Sequence, residues 1–174
     1  MNILQKFKPI KLIAMDVDGV LTDGKLWLMP SLDLVRNMDI KDGYALQLAV
    51  KKGYHVVVIS GAVDTGAVEN RLKGLGILDV NMAVKDKSAL LNKKISEWGF
   101  TRDQVLFIGD DIPDFEVMKN VGLSCCPADA VAEIIQIADY ISSYKGGCGC
   151  VRDVIEKVLK LNNDWDLDAE VVSK

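Results

Sequence analysis

Four short apolar runs, "IKLIAM", "HVVVIS", "QVLFIG" and "DYISS", punctuate this chain, with longer stretches of helical spacing between them. That alternation constrains the fold more than any other feature. Short runs of β-branched and aliphatic residues suit strands buried on both faces. Strands alternating with helices predict an α/β fold: a Rossmann-like, doubly wound parallel sheet covered on both sides. The helical stretches carry their own start and stop signals. "DGYALQLAVKKG" puts Leu46, Ala49 and Val50 on one face and stops at Gly53, while "DTGAVENRLKGLG" offers Asp64 as N-cap and stops at Gly74 and Gly76. "DKSALLNKKISEWG" offers Asp86 as N-cap with Leu90, Leu91, Ile95 and Trp98 as its apolar face. In "DIPDFEVMKNVG", Pro113 falls in a first turn, where a missing N–H leaves nothing unsatisfied.

One stretch breaks the alternation. Between Gly24 and Asp39 two apolar runs flank "MPSLD", which predicts a β-hairpin over about 25–39 projecting from the sheet. It carries Leu26, Trp27, Leu28, Met29, Leu32, Leu34 and Val35, an apolar set that a projecting element buries against another subunit. The 174 residues are expected to form one domain, 1–174, ending in a polar, acidic tail over about 162–174 that frays or lies over another part of the fold.

Composition excludes several functions. A net charge of −4 with no basic stripe argues against nucleic acid or an anionic membrane as partner. "MNILQKFKPIKLIAM" has neither a sustained apolar region nor a cleavage site, and no apolar run reaches the length of a membrane span. The expected location is the cytoplasm. The four cysteines form two close pairs, Cys125–Cys126 and Cys148–Cys150, neither with CxxC spacing, and are read as reduced thiols packed as small hydrophobes.

The chemistry sits at the ends of the apolar runs. "KLIAMDVDGVLTDG" ends its strand in Asp16, with Asp18 two places on. Two carboxylates about 4 Å apart repel by roughly 4 kcal/mol at an effective dielectric near 20, so a divalent cation is the expected counter-charge. In an open parallel sheet, ligands bind at the carboxyl ends of the strands. Two more strand ends bring Ser60 with Gly61, and Asp110 with Asp111, followed one turn later by Asp114. Lys87 opens the helix between them. Clustered carboxylate oxygens suit Mg²⁺, which binds substrate phosphate. Ser60, the Gly61 N–H and Lys87 could hold phosphate oxygens, and a strand-end aspartate can be a phosphate-accepting nucleophile. Taken singly, Ser60 reads equally well as a helix cap and Lys87 as a surface lysine. His55, the sole histidine, precedes a buried strand and is read as structural.

"DVDGVLTDG", Ser60, Lys87 and "GDDIPD" resemble, in order and strand context, the four motifs of the haloacid dehalogenase superfamily of Mg²⁺-dependent phosphotransferases. The resemblance implies that Asp16 is nucleophile and metal ligand. Asp18 would protonate the leaving sugar oxygen, then activate water, its carbonyl also ligating the metal. Asp110 would be the third protein ligand, and Asp111 and Asp114 would orient the metal's waters or neighbouring side chains. The gaps between motifs hold a hairpin and single helices, too little for a folded cap domain, so the fold is expected to be capless, with water excluded by another subunit or by the substrate.

"MDIKDGYAL", "AVENRLKGLGI" and "KGGCGCVRDVIEKVL" further resemble the 3-deoxy-D-manno-octulosonate 8-phosphate phosphatases, which serve lipopolysaccharide precursor synthesis. That likeness implies a phosphosugar substrate and a homotetramer whose hairpins close neighbouring sites. It also places Asp39, Lys41, Asp42 and Gly43 near the sugar acid, Arg71 as a cation toward it, and Arg152 in a glycine segment approaching the site. Lys41 and Ala62 stand where that family usually has arginine. Two alternatives stand beside this reading: a phosphatase for a nine-carbon, sialic-acid-type sugar 9-phosphate, and a non-catalytic oligomerisation or binding module.

Overall fold

The computed structural model describes residues 2–31, 34–63, 66–166 and 171. A one-turn helix α1 (Leu4–Phe7) leads into β1 (Leu12–Met15); the hairpin strands β2 (Trp27–Leu28) and β3 (Leu34–Val35) follow, then α2 (Ile40–Lys51) and β4 (His55–Ile59). Next come α3 (Ala67–Gly74), β5 (Asp79–Asn81), α4 (Lys87–Trp98) and β6 (Val105–Ile108). The chain closes with α5 (Phe115–Met118), β7 (Leu123–Cys126), α6 (Ala132–Ile137), β8 (Tyr140–Ile141) and α7 (Cys150–Leu161).

Six strands form one parallel sheet in the order β5-β4-β1-β6-β7-β8. The chain builds outward from β1 to β4 and β5, then returns to β1 and builds the other way. The strand order therefore reverses between β1 and β6, and this is where a doubly wound sheet leaves a crevice for a ligand.

The strand pleat divides the core in two. Ile13 and Met15, with Val56, Val58, Leu106 and Ile108, face a layer that includes α2 and α7. Leu12 and Ala14, with Val57, Ile59, Val105 and Phe107, face α4, α5 and α6. All four residues of β1 are fully buried, as the unbroken apolar run predicts. Asp86 caps α4 by accepting from the Ala89 N–H at 2.8 Å, and Gly53, Gly76 and Gly99 take positive φ beyond their helices.

Several expectations change. Asp64 lies outside the described residues, and α3 starts at Ala67 with Gly66 in the cap position. "DIPDFEVMKNVG" is not one helix: a 3-10 turn (Ile112–Asp114) precedes the single turn of α5, because Asp111 caps early and Pro113 sits within the tight turn. Strand β7, "LSCC", lacks the β-branched signature and escapes sequence reading; its neighbours bury it completely. The hairpin has two-residue antiparallel strands tied at the base by a Thr22–Met38 bridge, and Leu32 lies outside the described residues. Part of the acidic tail is docked: Trp165 packs edge-on against Tyr44 at 6.1 Å and the Tyr54 hydroxyl donates to Asp164 at 2.7 Å. Cys125, Cys126 and Cys150 are buried free thiols, and the exposed His55 packs against the Trp98 and Phe100 rings.

Candidate active site

The switch point between β1 and β6 gathers the acidic strand ends. Asp16 continues β1, its N–H donating to the Ile108 carbonyl at 3.0 Å, so its side chain emerges beside the end of β6. There Asp16, Asp110 and Asp114 each offer a carboxylate oxygen, all within 4.8 Å of one another. Lys87, the first residue of α4 and only 5 % exposed, bridges them, with its Nζ 2.7 Å from Asp16 Oδ2 and 2.7 Å from Asp114 Oδ1. Asp114 is fully buried; its other oxygen accepts from the Asp110 N–H at 3.1 Å.

Charge in this group is unbalanced. Burial first, then the like charges of Asp114, Asp16 and Asp111, push the Asp110 carboxyl up to about 8, with Lys87 pulling the other way. Burial and Asp16 push Asp114 up to about 6 against the pull of Lys87. Burial disfavours the Lys87 ammonium, but Asp114 and Asp16 outweigh it and raise the lysine above its ordinary value. One lysine does not neutralise three acids. Among the described residues Asp110 Oδ1 is buried with no hydrogen-bond partner, an unusual state for a carboxylate oxygen and one that a bound cation satisfies. A Cβ on Gly19 would lie 1.9 Å from Asp110 Oδ2, so only glycine lets the loop after Asp18 close over that carboxylate. The residues fit a divalent cation held by Asp16 and Asp110.

Asp18 is held differently. Arg36, which follows hairpin strand β3, forks onto it, Nε donating to Oδ1 at 2.7 Å and Nη2 to Oδ2 at 3.1 Å. The Thr22 hydroxyl lies 3.3 Å from Asp18 Oδ1. Sequence reading did not single out Arg36. The available signal was a lone guanidinium within an apolar hairpin, but its target became visible only once the hairpin folded back.

The remaining candidates separate into distinct places. Ser60, 2 % exposed at the end of β4, accepts from the Ala62 N–H at 3.2 Å and so belongs to a loop turn, not a helix cap; Gly61 is exposed beside it. Asp111 is exposed, and its Oδ1 accepts from the Ile112 N–H at 2.7 Å, capping the turn that follows. Asp114, expected to orient the metal's waters or neighbouring side chains, lies within the cluster and holds Lys87 and the Asp110 N–H.

Asp39, Gly43 and Arg71 do line one cleft, but Lys41 opens on a different cavity of about 290 Å³ with Arg152 and Tyr144. Asp42 lines the first cleft without being available there. Its carboxylate, 1 % exposed, accepts from the Arg152 N–H at 2.7 Å and the Gly149 N–H at 3.3 Å and so caps α7. Asp39 likewise caps its own helix α2, accepting from the Lys41 N–H at 2.7 Å. The Arg152 guanidinium lies over both the Tyr44 and the Trp165 ring, at 5.7 and 5.4 Å from their centroids.

The glycine segment near the C-terminus has a backbone role. The Gly147 N–H donates to the Val20 carbonyl at 3.0 Å, and a Cβ on Gly146 would fall 1.9 Å from the Gly19 carbonyl oxygen. The segment buttresses the loop that carries Asp18, main chain against main chain.

A parallel sheet that gathers carboxylates around a buried lysine at its switch point suits phosphoryl chemistry with a divalent cation, and the comparisons with known proteins narrow that class to a hydrolase. The family model of the haloacid dehalogenase-like hydrolases matches residues 63–154. The 3-deoxy-D-manno-octulosonate 8-phosphate phosphatase of Salmonella typhi is 32% identical over 95% of this chain and 87% of its own. The crystal structure of the phosphatase of that name from Yersinia pestis superposes with a TM-score of 0.90, at 30% identity over 93% of this chain and 87% of that one. The Moraxella catarrhalis enzyme, in complex with magnesium, phosphate and KDO, superposes with a TM-score of 0.89, at 33% identity over 93% of this chain and 92% of that one. The chain belongs to the haloacid dehalogenase-like hydrolases, within the family of 3-deoxy-D-manno-octulosonate 8-phosphate phosphatases.

Proposed function

We propose that the protein is a Mg²⁺-dependent phosphomonoesterase that hydrolyses 3-deoxy-D-manno-octulosonate 8-phosphate to the free sugar acid and phosphate, within lipopolysaccharide precursor synthesis. The carboxylate cluster around Lys87, with its orphaned Asp110 oxygen, supports the chemistry. The relatives, the Moraxella catarrhalis complex among them, support the substrate.

In this reading Asp16 attacks phosphorus, the bond to the sugar oxygen breaks, and a phosphoryl group is left on Asp16. Asp18 gives the departing alkoxide its proton and then takes one from the water that releases phosphate. Lys87 pairs with Asp16 and Asp114 in the free site and meets phosphate oxygens when substrate arrives; Ser60 and the Gly61 N–H, just past the end of the neighbouring strand β4, would hold phosphate oxygens beside it. Asp16, Asp110 and the Asp18 carbonyl would hold Mg²⁺, which when bound supplies Lewis-acid polarisation of the phosphoryl oxygens. Asp39, Gly43 and Arg71 form the side on which the sugar acid would rest, without the carboxylate of Asp42. We read residues 1–174 as one capless domain and the assembly as a homotetramer held by its hairpins.

The test is phosphate release by the purified protein from the eight-carbon 8-phosphate and from a nine-carbon sugar-acid 9-phosphate, with Mg²⁺ and with EDTA. Mg²⁺-dependent turnover that prefers the eight-carbon ester is expected. Preference for the nine-carbon ester would overturn the substrate, and no release from either would overturn the enzyme.

A further inference from the structure

Among the described residues, Asp18 is the candidate reacting carboxylate that the hairpin grips. Arg36 binds both of its oxygens through two hydrogen bonds, and the guanidinium is itself only 7 % exposed at the side chain. A planar fork on a carboxylate fixes the plane of the carboxyl group as well as its position, which a single hydrogen bond does not. Asp18 is 31 % exposed at its side chain, and its hydrogen bond to the Thr22 hydroxyl is long, at 3.3 Å. That hydroxyl is also within 3.3 Å of the Gly19 and Gly24 N–H groups. Thr22 therefore organises the loop, and Arg36 sets the direction of the carboxylate.

We propose that Arg36 is a positioning residue, holding the Asp18 carboxyl in the orientation acid and base chemistry requires and so tying each hairpin to its own subunit's site. Arg36 lies one residue beyond β3, and the exposed strands β2 and β3 are the part of the chain most in need of a covering partner. Whatever orders the hairpin from outside also orders Asp18 from inside. Misplacing a reacting group by about 1 Å can cost on the order of a hundredfold in rate.

The proposal rests on the reading of Asp18 as acid and base, and the experiment separates the two. Arg36→Met, Arg36→Lys, Asp18→Asn and the double variant Arg36→Met/Asp18→Asn are compared in kcat/KM on the sugar phosphate and on p-nitrophenyl phosphate. The first has an alkoxide leaving group that needs a proton; nitrophenolate leaves without one. Because kcat/KM covers only the steps up to phosphoryl transfer, the later hydrolysis does not enter. Comparing two esters on one preparation also cancels any loss of folded or assembled protein.

Arg36→Met is expected to lower kcat/KM on the sugar phosphate at least about tenfold and on p-nitrophenyl phosphate severalfold less, and to add less than about twofold to Asp18→Asn. Arg36→Lys, which keeps the charge but not the fork, should fall between. If Arg36→Met does not fold, the same two-ester comparison is read from Arg36→Lys. Equal losses on the two esters, full additivity with Asp18→Asn, or unchanged or faster turnover would each overturn the role of Arg36. An inactive Asp18→Asn beside a wild-type-like Arg36→Met sinks the Arg36 proposal alone. Full sugar-phosphate turnover by Asp18→Asn removes the acid/base reading and this proposal with it.

Discussion

Asp16 and Asp42 are both nearly buried aspartates, yet the surroundings give them opposite work. Asp16 faces Lys87 and two further acids across the switch point, a setting that makes a carboxylate useful to a cation and to phosphorus. Asp16→Asn should abolish phosphate release, at least about a thousandfold below wild type, because an amide is a poor nucleophile and a weak ligand for a hard cation. Single-turnover assays check this, and wild-type-like turnover would remove Asp16 from the reaction. Asp42 faces the N-terminus of α7. Burial first, then the charge of Asp39, pushes its carboxyl up to about 6, against the pull of the N–H groups of Arg152 and Gly149. A raised folded value means that the folded state holds the proton more tightly than the unfolded chain. That contribution is full below about pH 4 and is lost as pH rises through about 6. Relative to Asp42→Asn, the wild type should therefore lose on the order of 2 to 3 kcal/mol between pH 4 and pH 7. Urea melts of both proteins at the two pH values measure the difference, and a gap that does not move with pH would show that Asp42 carries no such shift.

At the scale of elements, the loop after β1 is held in place by segments remote in sequence. Its Gly19 passes over Asp110, and Gly146 presses on its main chain from the other side. Gly146→Ala would thrust a methyl group to within 1.9 Å of the Gly19 carbonyl oxygen, and the neighbour there is backbone, which cannot rotate away. The loop must shift, carrying Asp18 with it. The variant should lose at least about tenfold in kcat/KM while remaining folded, since a loop can yield where a packed core cannot. Steady-state kinetics beside a thermal melt test this; unaltered kinetics would show that the glycine segment does not set the loop.

The whole molecule exposes its hairpin. Trp27 is 70 % and Leu28 78 % exposed, with Leu26, Met29, Leu34 and Val35 beside them. A contiguous apolar surface of this kind marks an interface, and closed rotational symmetry is the common way to bury identical patches. If the hairpins hold the proposed tetramer, Trp27→Glu together with Leu34→Glu dissociates it and lowers activity on the sugar phosphate at least about tenfold. Light scattering and kinetics decide it, and a fully active wild-type monomer would end the tetramer proposal.

Some of this was legible in the sequence because its cause is local. A short apolar run closed by a polar residue reads as a buried strand with a polar tip, so β1, β4 and β6 and the Asp16, Ser60 and Asp110 at their ends could be read directly. Asp86 and the glycines beyond the helices announce ends through backbone chemistry alone. Strand β7 could not be read that way, because "LSCC" becomes a strand only through its neighbours β6 and β8. The resemblance put Asp42 near the sugar acid and Asp114 beside the metal's waters or neighbouring side chains; packing made Asp42 a cap for α7 and set Asp114 against Lys87. Arg36 stood unremarked in an apolar segment until the hairpin folded back and brought it to Asp18. Periodicity and capping act between residues a few positions apart and were determined by the sequence itself. Which charged groups meet, and which glycines must stay bare, depends on segments far apart in the chain: Gly146 is 127 positions from Gly19, and Lys6 pairs with Asp139. Those meetings were decided by the tertiary structure.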